Sequence, residues 1–145
     1  MKGLDTNVLV RFLTADDRTQ SAASREVIES FEARGERLHV SPVVLAELVW
    51  VLRGARYNLT REAIATALDG LLATEVFEIA DRDLVRRAVN RYRSGPADFS
   101  DYLIGELDQR AGCVSTLTFD RTLTAAEGFE GICYSGGHSS RVSEP

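Results

Sequence analysis

Apolar and polar positions alternate between helical spacing and short runs along the chain. Between Thr19 and Arg34, Ala23, Val27, Ile28 and Phe31 share one helical face. Gly35 stands where such a helix stops. Val8–Leu13 reads as a shorter helix capped by Asp5, Thr6 or Asn7. Ser41-Pro42 is a helix start, with serine at the cap and proline at the first helical position. That helix runs to Arg53 and ends near Gly54. Thr60 caps a further helix over Arg61–Ala73. Asp81 opens one carrying Leu84, Val85, Ala88, Val89 and Tyr92 on one side, stopped by Ser94-Gly95-Pro96. The last spans Phe99–Arg110 and ends at Gly112. Between them, Met1–Leu4, Leu38–Val40, Val76–Ile79, Cys113 to Thr116 or Thr118, and Ile132–Tyr134 read as strands. Strands alternating with helices predict an α/β fold whose parallel sheet is covered on both faces.

The length of 145 residues suits one domain. No apolar run approaches the ~18 residues of a membrane span. Asp5 interrupts any secretion signal at the start, so a cytoplasmic location is expected. Cys113 and Cys133 lack CxxC spacing, and the histidines are His39 and His138, which excludes the usual structural zinc site. Both cysteines are expected in strand cores. Residues 136–145 read as a disordered tail after a domain over 1–135.

A net charge of −5 argues at first against a nucleic-acid partner. Its distribution changes that. Asp5 ends the first strand, Asp120 follows the fourth, and Asp98 and Asp101 open a helix. The crevice beyond the carboxyl ends of parallel strands is where such folds bind ligands. Each aspartate also suits a helix cap or first turn. Glu47 lies among Val43, Val44, Leu45, Ala46, Leu48, Val49 and Trp50, on a helix apolar nearly all round and therefore expected to be buried. An unpaired buried carboxylate costs several kcal/mol. A metal ion or a partner's arginine would remove that cost; a water-exposed gap or an arginine of the chain itself would explain Glu47 without one. Clustered carboxylates without histidine or cysteine favour Mg²⁺ or Mn²⁺. Setting aside the five acids Asp5, Glu47, Asp98, Asp101 and Asp120 leaves the remaining chain neutral.

The segments carrying these acids resemble a known family. Leu4-Asp5-Thr6-Asn7-Val8-Leu9-Val10-Arg11, Ser41-Pro42-Val43-Val44-Leu45-Ala46-Glu47-Leu48, Asp98-Phe99-Ser100-Asp101-Tyr102-Leu103-Ile104 and Gly112-Cys113 through Thr118-Phe119-Asp120-Arg121 are similar to the four motifs of PIN-domain ribonucleases, in order. The VapC-type toxins of bacterial toxin–antitoxin pairs are the nearer likeness. The resemblance implies a three-layer α/β/α sandwich with a parallel sheet of about five strands. It implies Asp5, Glu47, Asp101 and Asp120 as the catalytic acids, with Asp5, Asp101, Asp98 and Asp120 as metal ligands. The Asp-x-x-Ile pattern favours Asp101 over Asp98 as the direct ligand. Thr6, Asn7 and Thr118 would orient the carboxylates. The activity implied is Mg²⁺- or Mn²⁺-dependent RNA hydrolysis, held in check by a small VapB-like antitoxin, with the toxin as a homodimer. The antitoxin's C-terminal segment would lie between the Pro42–Arg53 and Arg61–Ala73 helices, and the turn over Arg56–Leu59 would join a protruding hairpin used in docking.

Contact with RNA is expected from Arg82, Arg86 and Arg93, on one face of their helix. A solvated helix face is the alternative for the same charges. Two other functions compete: a PIN-like module that binds RNA or protein without cutting, and a hydrolase of small phosphate esters.

Overall fold

The computed structural model describes residues 1–134, so the expected tail lies outside the described residues. Strand β1 (Lys2–Gly3) leads into helix α1 (Thr6–Thr14), and α2 (Arg18–Ala33) follows. Asp17 caps α2, its carboxylate accepting the Gln20 N–H at 2.9 Å. Then come β2 (Leu38–Val40) and α3 (Pro42–Arg53), where Ser41 accepts the Val44 N–H at 3.2 Å. Thr60 caps α4 (Arg61–Ala73), accepting the Ala63 N–H at 3.1 Å. The remaining elements are β3 (Phe77–Ile79), α5 (Arg82–Ser94), α6 (Phe99–Arg110), β4 (Thr116–Thr118) and β5 (Phe129–Gly131).

Strand pairing is parallel throughout. The order β1-β2-β3 places Leu38 opposite both Lys2 and Phe77. Helices on both sides make the three-layer α/β/α arrangement. The five strands do not form one sheet, however. Strands β4 and β5 pair separately, so the larger sheet holds three strands. The two-residue β1 offers few ladder groups, whereas β4 is bonded to the β5 segment from Thr116 N–H to Gly128 C=O (2.7 Å) and from Ile132 N–H to Thr118 C=O (2.9 Å).

The last strand also shifts from its expected place at Ile132–Tyr134 to Phe129–Gly131. Gly128 turns the chain with φ +84°, and burial of Phe129 aligns it with Thr116. Cys113 and Cys133 then flank the strand pair and are exposed, not core residues.

The core joins Leu45, Leu48 and Leu52 of α3, Ile64 and Leu68 of α4, Phe77 of β3 and Phe99 of α6. All five apolar positions expected on α5 are buried. Helix α3 departs from expectation. It buries Leu45, Leu48, Val49 and Leu52 but turns Val43, Glu47 and Trp50 outward. Those three are spaced four and three residues apart, which is one helical face. An apolar composition all round thus does not mean burial all round.

One side chain fixes the entry to α6. Arg61, the first residue of α4, donates to the carbonyls of Tyr92 (2.9 Å), Ala97 (2.7 Å) and Pro96 (3.2 Å). Its guanidinium also lies over the Tyr92 ring, 4.4 Å from the centroid. It thereby ties α4 to the end of α5 and to the turn before Asp98.

Candidate functional site

Each expected acid sits at an element boundary or on an exposed helix face. Asp5 follows β1 and caps α1, its carboxylate accepting the Thr6 N–H at 2.8 Å. Thr6 is buried, and its hydroxyl has no hydrogen-bond partner among the described residues. Asp98 precedes α6, and its backbone N–H donates to the Asp101 carboxylate at 3.1 Å. Asp98 is also ion-paired with Arg53 at the end of α3. Asp120 follows β4. Its own N–H donates to the Thr118 hydroxyl at 3.0 Å, and its carboxylate accepts from the Thr122 N–H (2.9 Å) and hydroxyl (2.8 Å). Thr118 therefore holds the backbone of Asp120, while Thr122 holds its side chain.

Asp101 is the point where three acids are felt together. Burial pushes its carboxyl above the usual range, and the charges of Asp98 and Asp120 push the same way. The Asp98 N–H bond and the nearby Arg53 charge oppose this but do not cancel it. Asn7, two residues after Asp5, lines a cavity of about 660 Å³ together with Arg53 and Asp98.

Glu47 corrects the burial argument. It is exposed on the outward face of α3, between Val43 and Trp50, so no desolvation penalty calls for a cation beside it. Apolar residues on the outward side as well, Val43 and Trp50, make the whole helix look interior from sequence.

The arginines expected to meet RNA are mostly occupied by the fold. Arg82 donates to the carbonyls of Leu72 and of Phe77, the latter at 2.6 Å. Arg93 is ion-paired with Asp69 and with Glu62, the latter at 3.7 Å. Arg86 is exposed and lacks a polar partner among the described residues. Arg87 and Arg91 hold the buried carboxylate of Glu106 at 3.0 and 3.4 Å. Arg53 carries no local signal of a role at the acids; its pairing with Asp98 depends on how α3 packs on α6.

Among the described residues, no three side chains of His, Cys, Asp or Glu stand close enough to hold one metal ion. The donor set still fits Mg²⁺ or Mn²⁺. These ions take oxygen ligands, and Mg²⁺ usually keeps several waters while using one or two carboxylates and substrate phosphates. A half-buried carboxyl facing two like charges, as at Asp101, is a place that a divalent cation would relieve.

The amino-acid sequence matches a known family. The family profile described as PIN domain covers residues 3–128. The chain belongs to the PIN-domain family. A curated relative, the VapC ribonuclease of Aquifex aeolicus (strain VF5), is 29% identical over 121 residues, covering 83% of this chain and 88% of the relative. The PIN domain here thus spans all four acidic segments, from Asp5 to Asp120. Among its described residues no helix is long and apolar enough to cross a membrane.

Proposed function

We propose that this PIN domain is an endoribonuclease toxin of the VapC kind, hydrolysing RNA phosphodiester bonds with Mg²⁺ or Mn²⁺. The observation that carries this reading is Asp101, half-buried and acted on by the charges of Asp98 and Asp120. The similarity to a VapC ribonuclease over most of both chains supports RNA as the substrate.

Asp101 and Asp5 would hold the ion, with Asp120 and Asp98 contributing from either side. Bound there, a divalent cation supplies charge neutralisation at the phosphate and lowers the pKa of water. The protein's own residues do the remaining work. Thr118 and Thr122 fix the Asp120 turn. Thr6 lies buried beside Asp5 with a hydroxyl still able to donate. Glu47, exposed to solvent, would accept the proton of the attacking water.

The same reading gives the partners. A small antitoxin would place an arginine among the acids, where its planar fork matches carboxylates. Its apolar residues would lie along the groove between α3 and α4. A homodimer and a cytoplasmic location complete the proposal. Mapping new RNA ends after brief expression in cells tests it. Discrete new ends with the wild type, absent with Asp101→Asn, are expected. No new ends would favour a non-cleaving PIN module.

A further inference from the structure

The cavity beside the acids is lined by residues that the proposed chemistry does not use. Arg11, Arg53 and Arg56 face it, with Trp50, Tyr57 and Asp98. Two carboxylates answer the three guanidiniums: Asp16 takes Arg11 at 2.9 Å and Arg56 at 2.7 Å, and Asp98 takes Arg53. Asp17 and Asp101 lie close enough for their charges to act on Arg11 and Arg53 as well, so these guanidiniums are spread among acids. A guanidinium has five N–H donors, so Arg53 and Arg56 retain donors beyond those their carboxylates take. Arg56 is also well exposed.

Trp50 is the chain's single tryptophan and is 74% exposed. It makes no ring contact with another aromatic among the described residues. Tyr57 differs: its hydroxyl donates to Asp16 at 2.7 Å and its ring lies under Arg56, 5.3 Å from the centroid. Tyr57 thus serves to fix Arg56, while the indole is left bare.

We infer that this cavity is a nucleotide subsite for single-stranded RNA, with Arg53 and Arg56 on phosphates and a base stacked on Trp50, one step from the bond cut beside Asp101. The inference rests on the ribonuclease reading and names how its substrate is held. Guanidiniums interleaved with an unpaired aromatic are the means by which single strands are bound without reading sequence. Arg53 gives the cavity continuity with the acids, because it contacts Asp98 while lining the cavity.

The test uses the fluorescence of Trp50 in the full chain carrying Asp101→Asn, titrated with an oligouridylate of about eight nucleotides. Binding is followed in parallel by anisotropy of the labelled RNA. The expected result is quenching of Trp50 that tracks the anisotropy, and Arg53→Ala should weaken both about tenfold, with Arg53→Lys recovering part of the loss. In the cleaving protein, Trp50→Ala should raise KM about tenfold with kcat within about twofold. Arg34→Ala, which removes an equal charge at the far end of α2, should change neither.

RNA binding without quenching, or an unchanged KM in Trp50→Ala, overturns the subsite while the ribonuclease reading stands. Quenching that depends on Arg53 in a wild type unable to cut RNA upholds the subsite and overturns the nuclease reading. Unchanged RNA binding in Trp50→Ala, with loss of a dimer in sedimentation, would assign the indole to a protein contact and also overturn the subsite.

Discussion

Replacing Arg61 by alanine should both loosen the fold and disturb the acids at the start of α6. Arg61 reaches three carbonyls across two elements and a turn. Tyr92 and Ala97 are buried, so water would not easily take the place of the guanidinium at those two. A hydrogen bond to a charged group contributes about 1.5–3 kcal/mol. The Pro96 bond is exposed and is left out of the sum. Two retained bonds at the low end, with about 0.5–1 kcal/mol for the cation over the Tyr92 ring, give roughly 4 kcal/mol. For a domain of this size that corresponds to a fall in Tm of about 10 °C. Thermal unfolding followed by circular dichroism, at neutral pH and moderate salt, measures it. Arg61→Lys keeps the charge but cannot span three carbonyls, and should fall between the two. Cleavage should then be compared well below both melting temperatures. A turn displaced by a fraction of an ångström moves Asp98 and Asp101 and should lower kcat by about one order of magnitude. A fall in Tm under about 2 °C, or full kcat in the folded variant, would refute the reasoning.

Three further outcomes follow from other parts of the molecule. The Tyr57 hydroxyl, and then Thr14 and Arg11 with the charge of Arg56, hold the Asp16 carboxyl well below the usual range against some desolvation. A depressed folded pKa contributes stability that is present above about pH 4 and is lost as pH falls through the folded value. Asp16→Asn should therefore flatten the fall of Tm between about pH 4 and 2, and an unchanged slope would contradict the assignment. Gly105→Ala would put a Cβ 2.6 Å from the tip of the buried Phe129 ring, which must shift within the core; a loss of about 1–3 kcal/mol in urea unfolding is expected. Asp101→Asn keeps an acceptor for the Asp98 N–H while removing a charge that faces Asp98 and Asp120. In chelator its Tm should match or exceed the wild type, and a clear fall would show that the acid is structural.

Much of the helical framework is visible in residue types alone. Pro42–Arg53, Arg61–Ala73 and Phe99–Arg110 agree with their expected bounds. The first two open on Ser41-Pro42 and Thr60, whose side chains make the expected caps. Asp81 opens a helix as expected but in the left-handed region at φ 54°, without a side-chain cap bond; its carboxylate pairs instead with Arg110 at 2.6 Å. Strands were harder to place. Ile132-Cys133-Tyr134 has the residue types of a strand, yet the ladder forms three residues earlier, because β4 and the Gly128 turn fix the register.

The candidate site divides in the same way. Asp5, Asp98, Asp101 and Asp120 stand at boundaries that local signals mark, and the structure sets them there. Glu47 was misread because composition does not tell which side of a helix meets the core. Arg53 and Arg61 act across elements far apart in sequence, and no local pattern announces such contacts. The same holds for the cavity at Trp50, which depends on how α1 and α3 meet.

The most direct test of the central claim is cleavage of a single-stranded RNA by purified wild type and Asp101→Asn, titrated with Mg²⁺ after full chelation. The account predicts no cleavage in chelator, recovery with Mg²⁺ or Mn²⁺, little support from Ca²⁺, and a loss of several orders of magnitude in the variant at every Mg²⁺ concentration. Wild-type cleavage at full rate in excess chelator, or normal cleavage by the folded variant, would contradict it.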